Sequence, residues 1–179
     1  MKLKKHIPNL LTLGNLFCGT LATIFAVQGN FELTALLVII GIFFDFLDGF
    51  VARILKVSGE LGKQLDSLAD MVTSGVVPGI VMVQLLSKTI ISEIVLFSYI
   101  GLLLTLGACY RLAKFNLDTR QSDSFIGLPT PAMSLFVVFL PLMQTDIVYI
   151  QNLLRNNYFL IAITLLLTCL LYTSPSPRD

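Results

Sequence analysis

Apolar residues run along the chain in six blocks: Pro8–Val27, Leu33–Leu55, Leu65–Leu86, Ile91–Leu112, Pro131–Gln144 with a lead-in from Gly127, and Tyr158–Leu171. A helix that crosses a membrane needs about 20 mainly apolar residues. The first four blocks have that length, and the last two are shorter. None alternates with the period of two that a membrane β-barrel strand needs, so all six are expected to be helices. The expected fold is an all-α integral membrane bundle of six transmembrane helices. Pro78 and Pro141 are expected to kink their helices. Gly75 and Gly79 form a small-xxx-small pair whose expected use is close packing within the chain.

Composition agrees with this pattern. Of 179 residues, 55% are hydrophobic and 13% charged, against about 45–50% and about 25% in a soluble domain. Mean hydropathy is +0.85. An ordinary soluble globule and a disordered chain are both excluded. A net charge of +1 argues against a nucleic-acid partner held by bulk charge. The three cysteines, Cys18, Cys109 and Cys169, are an odd number without metal-ligand spacing, so neither a disulfide framework nor a zinc site is expected. Phe17 is too large for a lipoprotein-type processing site at Cys18. The basic N-terminus followed by apolar residues is read as an uncleaved first span.

Charge placement gives an orientation. With the N-terminus in the cytoplasm, one side carries Lys2, Lys4, Lys5, Arg53, Lys56, Lys63, Arg111, Lys114, Arg120 and Arg178, and the other only Lys88 and Arg155. Positive residues gather on the cytoplasmic side, so both termini are expected there, in a multi-pass protein of the cell membrane. Residues 1–172 read as one six-helix catalytic domain. The Ser-Pro repeats of 173–179 read as a disordered or non-native tail, as expected of a chain truncated at its C-terminus.

The second and third blocks hold four aspartates, Asp45, Asp48, Asp66 and Asp70. A charged Asp at a helix centre costs about 2.5–3.5 kcal/mol on insertion scales. No cluster of buried Lys or Arg is there to offset it; Arg53 is the single near neighbour. Hard divalent cations are the natural compensation for grouped carboxylates. Asp45 and Asp48 are three apart and Asp66 and Asp70 four apart, so each pair projects from one helix face. Two helices joined by a short loop can bring both pairs into one site. Gly49 and Ala52 lie on or beside the first face, where small side chains let a ligand approach, and Gly62 precedes the second pair by one turn. The guanidinium of Arg53 suits a phosphate or carboxylate. Helix capping, as by Asp66, or pairing with loop cations would explain one or two of the aspartates but not four.

In order, the segment reads Asp45-Phe-Leu-Asp48-Gly49-Phe-Val-Ala52-Arg53, eight residues, Gly62, three residues, Asp66, three residues, Asp70. It resembles, without a departure, the signature of the CDP-alcohol phosphatidyltransferase family. That resemblance implies a six-helix core and transfer of a phosphatidyl group from a CDP-linked lipid to an alcohol, with release of CMP. It implies two metal ions, Mg²⁺ or Mn²⁺, held by Asp45, Asp48 and Asp66, with Asp70 as general base sharing metal contact. Gly49, Ala52 and Gly62 would face the nucleotide, and Arg53 its phosphates. It also implies a homodimer.

Three further stretches bear on the alcohol: Ile7-Pro-Asn-Leu-Leu-Thr12-Leu-Gly-Asn15-Leu-Phe-Cys-Gly19, Arg111-Leu-Ala-Lys114-Phe-Asn116 and Phe125-Ile-Gly-Leu-Pro-Thr-Pro-Ala132. Together they resemble the serine-using bacterial branch of the family, which commonly has Arg at the position of Lys114. CDP-diacylglycerol and L-serine are therefore the expected substrates. Arg111, Lys114 and Asn116 are candidates for the serine carboxylate or a phosphate, with helix-end anchoring as the alternative use. Thr12 and Asn15 are candidates for the nucleotide or, equally, for interhelical hydrogen bonds. His6 reads as an interfacial residue. The near alternative is the same chemistry on glycerol 3-phosphate or inositol. A remote one is a cation transporter, disfavoured by the apolar stretches Leu36–Phe44 and Val81–Leu86.

Overall fold

The computed structural model describes residues 6–57, 59–89, 95–117, 128–144 and 148–172, and every regular element among them is helical. Helix α1 spans His6–Val27 and α2 spans Phe31–Leu55. Helix α3 runs from Glu60 to Thr89 and includes a π-helical stretch, Met71–Val76. A 3₁₀ segment, Val95–Leu102, leads into α4, Leu103–Leu117. Then come α5 (Thr130–Phe139), α6 (Val148–Leu154) and α7 (Asn157–Tyr172). The basic residues Lys2, Lys4, Lys5, Arg120 and Arg178, the segment 125–127 and the tail 173–179 lie outside the described residues.

All six apolar blocks contain helix, and four helices are long and apolar enough to cross a membrane: His6–Val27, Phe31–Leu55, Glu60–Thr89 and Leu96–Leu117. Helices α5, with 10 residues, and α7, with 16, fall short of that length. For α5 the reason is Pro141. The expected kink is instead an end: helix stops at Phe139, Leu140 and Pro141 turn, and a 3₁₀ turn follows over Leu142–Gln144. Pro141 has no N–H to give the Val137 carbonyl, which accepts the Leu140 N–H at 3.3 Å in a tighter turn instead. Helix α6 was not foreseen.

Helices α1 and α2 form an antiparallel hairpin. Gly29 adopts φ +77, open to glycine without strain. The Asn30 side chain then accepts the Leu33 N–H at 3.2 Å and caps α2. Lys56, left-handed at φ 52, ends α2. Helix α3 is the hub. It packs on α1, α2, α4, α5 and α7, and 56% of its spanning window is buried, against 22–33% for the other three long helices. Val77, Val81, Met82, Leu85 and Leu86 of α3 meet Leu104, Met133, Val137, Leu160 and Leu171 in the core. Leu10, Phe17, Phe46, Ile54 and Leu166 point outward, as a lipid surround allows.

The interruption in α3 follows from Pro78, which has no N–H and would crowd the carbonyl of Ser74. A wider π-helical stretch precedes it, and neighbouring helices supply donors. Thr105 Oγ1 donates to the Gly75 carbonyl at 3.0 Å, and Ser134 Oγ to the Thr73 carbonyl at 3.2 Å. Hydroxyls on adjacent helices commonly satisfy backbone freed by proline in membrane helices. The expected use of Gly75 and Gly79 is borne out: a Cβ at Gly75 would lie 3.2 Å from Ala108 Cβ, and one at Gly79 would strike Thr105. Gly79→Val should cost about 1–3 kcal/mol by overpacking, read as a lower melting temperature in detergent. Ala162→Val on the exposed face of α7 should change stability by less than about 0.5 kcal/mol.

Candidate active site

The site forms where the C-terminal half of α2, the first half of α3 and the N-terminal half of α1 converge. The helical spacing turns Asp45 and Asp48 toward Asp66, and ligand oxygens of these three all lie within 4.8 Å of one another. Asp48 is buried. The Thr12 hydroxyl of α1 sits against its Oδ2 and also 3.1 Å from the Pro8 carbonyl. One turn along α1, Asn15 Nδ2 donates to Asp70 Oδ1 at 3.2 Å. Asp70 is not part of the three-residue cluster.

A divalent cation fits this arrangement. The donor set is three carboxylates, the hard oxygen ligands such ions take. Asp66 Oδ1 is buried and has no hydrogen-bond donor among the described residues, which is costly for a carboxylate unless a cation satisfies it.

Beside the cluster lies a cleft of about 490 Å³. Thr12, Asp48, Gly49, Ala52, Gly62 and Asp66 line it, so it gathers most of the residues singled out as nucleotide-facing. The small side chains keep it open: nearest to a Cβ at Gly49 would be Arg53, at 3.8 Å. His6, Asn9 and Lys63 also line it and were not foreseen as site residues. The signal for Asn9 was its place three before Thr12 on the same helix face.

Other candidates sit elsewhere. Arg53 is exposed and folds back on α2, its Nε donating to the Gly49 carbonyl at 3.1 Å. Asn15 is fully buried, away from the cleft lining. At the end of α4, Asn116 Nδ2 donates to Ser67 Oγ at 2.8 Å, and Lys63 Nζ donates to the Asn116 carbonyl at 3.1 Å. These bonds tie α4 to the first turns of α3. Arg111 is half-buried and Lys114 exposed on α4. Neither lines the cleft.

Residues 5–170 match the CDP-alcohol phosphatidyltransferase family, and the chain belongs to that family. The sequence is 36% identical over 139 residues to the CDP-diacylglycerol–serine O-phosphatidyltransferase of Bacillus subtilis, covering 75% of each chain. It is 33% identical over 151 residues to the enzyme of that name from Helicobacter pylori strain J99, covering 81% of this chain and 61% of that one. An archaetidylserine synthase of Methanothermobacter thermautotrophicus is 33% identical over 138 residues, covering 73% of this chain and 55% of its own. The chain thus spans between about half and three quarters of these relatives.

Asp66→Asn should weaken Mn²⁺ binding by tenfold or more, since charge count sets the affinity of oxygen-ligand sites. Electron paramagnetic resonance titration of the detergent-solubilised protein measures this directly.

Proposed function

We propose that the chain transfers a phosphatidyl group from CDP-diacylglycerol to L-serine, giving phosphatidylserine and CMP in phospholipid biosynthesis. The observation that carries this reading is the cluster of Asp45, Asp48 and Asp66 opening on a cleft walled by Gly49, Ala52 and Gly62. The names of the relatives support serine as the acceptor.

In this reading Asp45, Asp48, Asp66 and Asp70 hold a pair of Mg²⁺ or Mn²⁺ ions. When bound, these supply charge neutralisation at the pyrophosphate and stabilise the leaving group. Thr12, Gly49, Ala52 and Gly62 seat the nucleotide, and Arg53 at the rim unfolds from its own helix to meet phosphate. Asp70 accepts the proton of the serine hydroxyl. The serine oxygen bonds to the phosphorus that bears diacylglycerol as the bond from that phosphorus to the CMP oxygen breaks. The proton ends on Asp70, and CMP leaves. Arg111 and Lys114 on α4 hold the serine carboxylate, and Asn116 fixes the end of α4 beside them.

The site belongs at the cytoplasmic face of the cell membrane. The end of the bundle that carries the aspartates also carries Arg53, Lys56, Lys63, Arg111 and Lys114, and the positive-inside rule puts that end in the cytoplasm. Six crossings follow if α5 and α7 also traverse the bilayer.

The test is CMP release by the membrane-reconstituted protein with CDP-diacylglycerol, Mg²⁺ or Mn²⁺ and a panel of alcohols. Serine should be the best acceptor, and chelation should abolish turnover. Preference for glycerol 3-phosphate or inositol would overturn the serine assignment and leave the phosphatidyl transfer in place. Cation flux without CMP release would overturn both. Asp70→Asn should lower kcat by about 10²- to 10⁴-fold, the range for loss of a general base.

A further inference from the structure

The four-aspartate motif does not account for a second set of buried polar side chains beneath it. Asn15 and Thr73 are both fully buried. Thr73 Oγ1 donates to Asn15 Oδ1 at 2.7 Å, Asn15 Nδ2 donates to Asp70 Oδ1 at 3.2 Å, and Ser134 Oγ donates to the Thr73 carbonyl at 3.2 Å. The direction of this chain is dictated by chemistry. An ionised carboxylate only accepts hydrogen bonds, so Asn15 must turn its NH₂ toward Asp70. Its carbonyl oxygen then faces Thr73, and the hydroxyl must donate to it. Reversing the amide would set two acceptors against each other.

The surroundings are built around this pair. A Cβ at Gly41 would lie 2.9 Å from both Asn15 Oδ1 and Thr73 Cγ2, and one at Gly19 would lie 3.1 Å from Thr73 Cα. Neither glycine has a positive φ, so each is needed for space and not for backbone conformation. Thr73 itself sits in the π-helical stretch that starts directly after Asp70. Such stretches are rare and concentrate at functional sites.

We propose that Thr73 and Asn15 are positioning residues: the Thr73 hydroxyl fixes the Asn15 amide, and the amide holds the Asp70 carboxylate in the orientation that takes the acceptor's proton. The inference rests on the reading of Asp70 as general base and extends it to two residues outside the aspartate motif. Thr73→Val keeps the shape and removes the donor. Misplacing a reacting group by about 1 Å costs on the order of a hundredfold, so partial release of Asp70 should lower kcat by about 10- to 100-fold.

The experiment measures Thr73→Val, Thr73→Ser, Asn15→Asp and Asp70→Asn in reconstituted protein, with kcat, KM for CDP-diacylglycerol, Mn²⁺ affinity by paramagnetic resonance and melting temperature. Thr73→Val should lose kcat while KM for CDP-diacylglycerol stays within about twofold, the pattern of a group that acts in the transition state. Thr73→Ser should recover most of the turnover. Wild-type kcat in Thr73→Val, or a parallel loss of Mn²⁺ affinity and substrate binding, overturns the proposal. If Thr73→Val does not fold, the isosteric Asn15→Asp decides: slow turnover in a folded protein supports the relay, and wild-type turnover overturns it. Failure of both to fold assigns the network to stability alone and also overturns it. Full activity in Asp70→Asn removes the underlying reading of Asp70. An inactive Asp70→Asn beside a fully active Thr73→Val removes only the relay.

Discussion

Four carboxylates gathered at one end of an apolar helix bundle set the terms for the rest of this structure. Each would cost a few kcal/mol to place among apolar helices alone, and the bundle has arranged partners for them unevenly. Asp48 has the Thr12 hydroxyl, and Asp70 has the Asn15 amide. Asp45, Asp48 and Asp66 share a space narrow enough for one cation to touch all three, with Asp66 Oδ1 left without a donor. Protein donors thus satisfy part of the cluster and stop short of the rest. A fully satisfied network would be more stable without an ion, but it would have no oxygen to offer one.

This division explains why α1 is essential to a motif it does not contain. It supplies both donors from one face, three residues apart, and packs along α2 and α3 to deliver them. It also explains the shape of α3. The helix must present Asp66 and Asp70 on one side near its start and bury Val81, Met82 and Leu85 in the core beyond it. The π-helical stretch between these halves shifts the register within a single continuous helix. Pro78 makes that stretch necessary, and hydroxyls from Thr105 and Ser134 make it tolerable.

The spacing of Asp45, Asp48, Asp66 and Asp70 was readable because helical geometry alone decides which residues share a face, and a short link between two helices decides that the faces meet. Gly49, Ala52 and Gly62 were readable for the same reason, as small residues on those faces. The partners were not readable as partners. Thr12 and Asp48 are 36 positions apart, and Asn15 and Asp70 are 55 apart. Thr12 and Asn15 stood out only as polar residues in an apolar span, equally suited to a ligand or to a neighbouring helix. His6 was read as an interfacial residue and Lys63 as one of the positive-inside residues, ordinary roles at a helix end, and neither reading pointed to the cleft they line. The hydrophobic pattern found six blocks, but it did not show that Pro141 would close α5 after Phe139, because apolar residues continue past it. Thr73 was hidden by the π-helical stretch, since a pattern in an apolar segment does not reveal a change of helical register.

The geometry also separates two tasks that sequence order blurs. The cleft belongs to α1, α2 and α3, and under the proposed function it takes the part that every substrate of this chemistry shares, the nucleotide and its phosphates. Arg111 and Lys114 belong to α4, outside the cleft lining, and α4 is attached to the catalytic helices through Lys63, Ser67 and Asn116. The hydrogen bonds that fasten α4 there run through Lys63, Ser67 and Asn116 and not through Asp66 or Asp70, so the fastening does not use the carboxylates themselves. Under the proposed function, acceptor choice is therefore a property of α4, and its alteration is open to substitutions that leave the metal cluster and the Asn15–Asp70 contact in place. In that reading one aspartate motif can serve different alcohols, because the groups proposed to bind the acceptor are linked to the site but are not the carboxylates that would hold the metal.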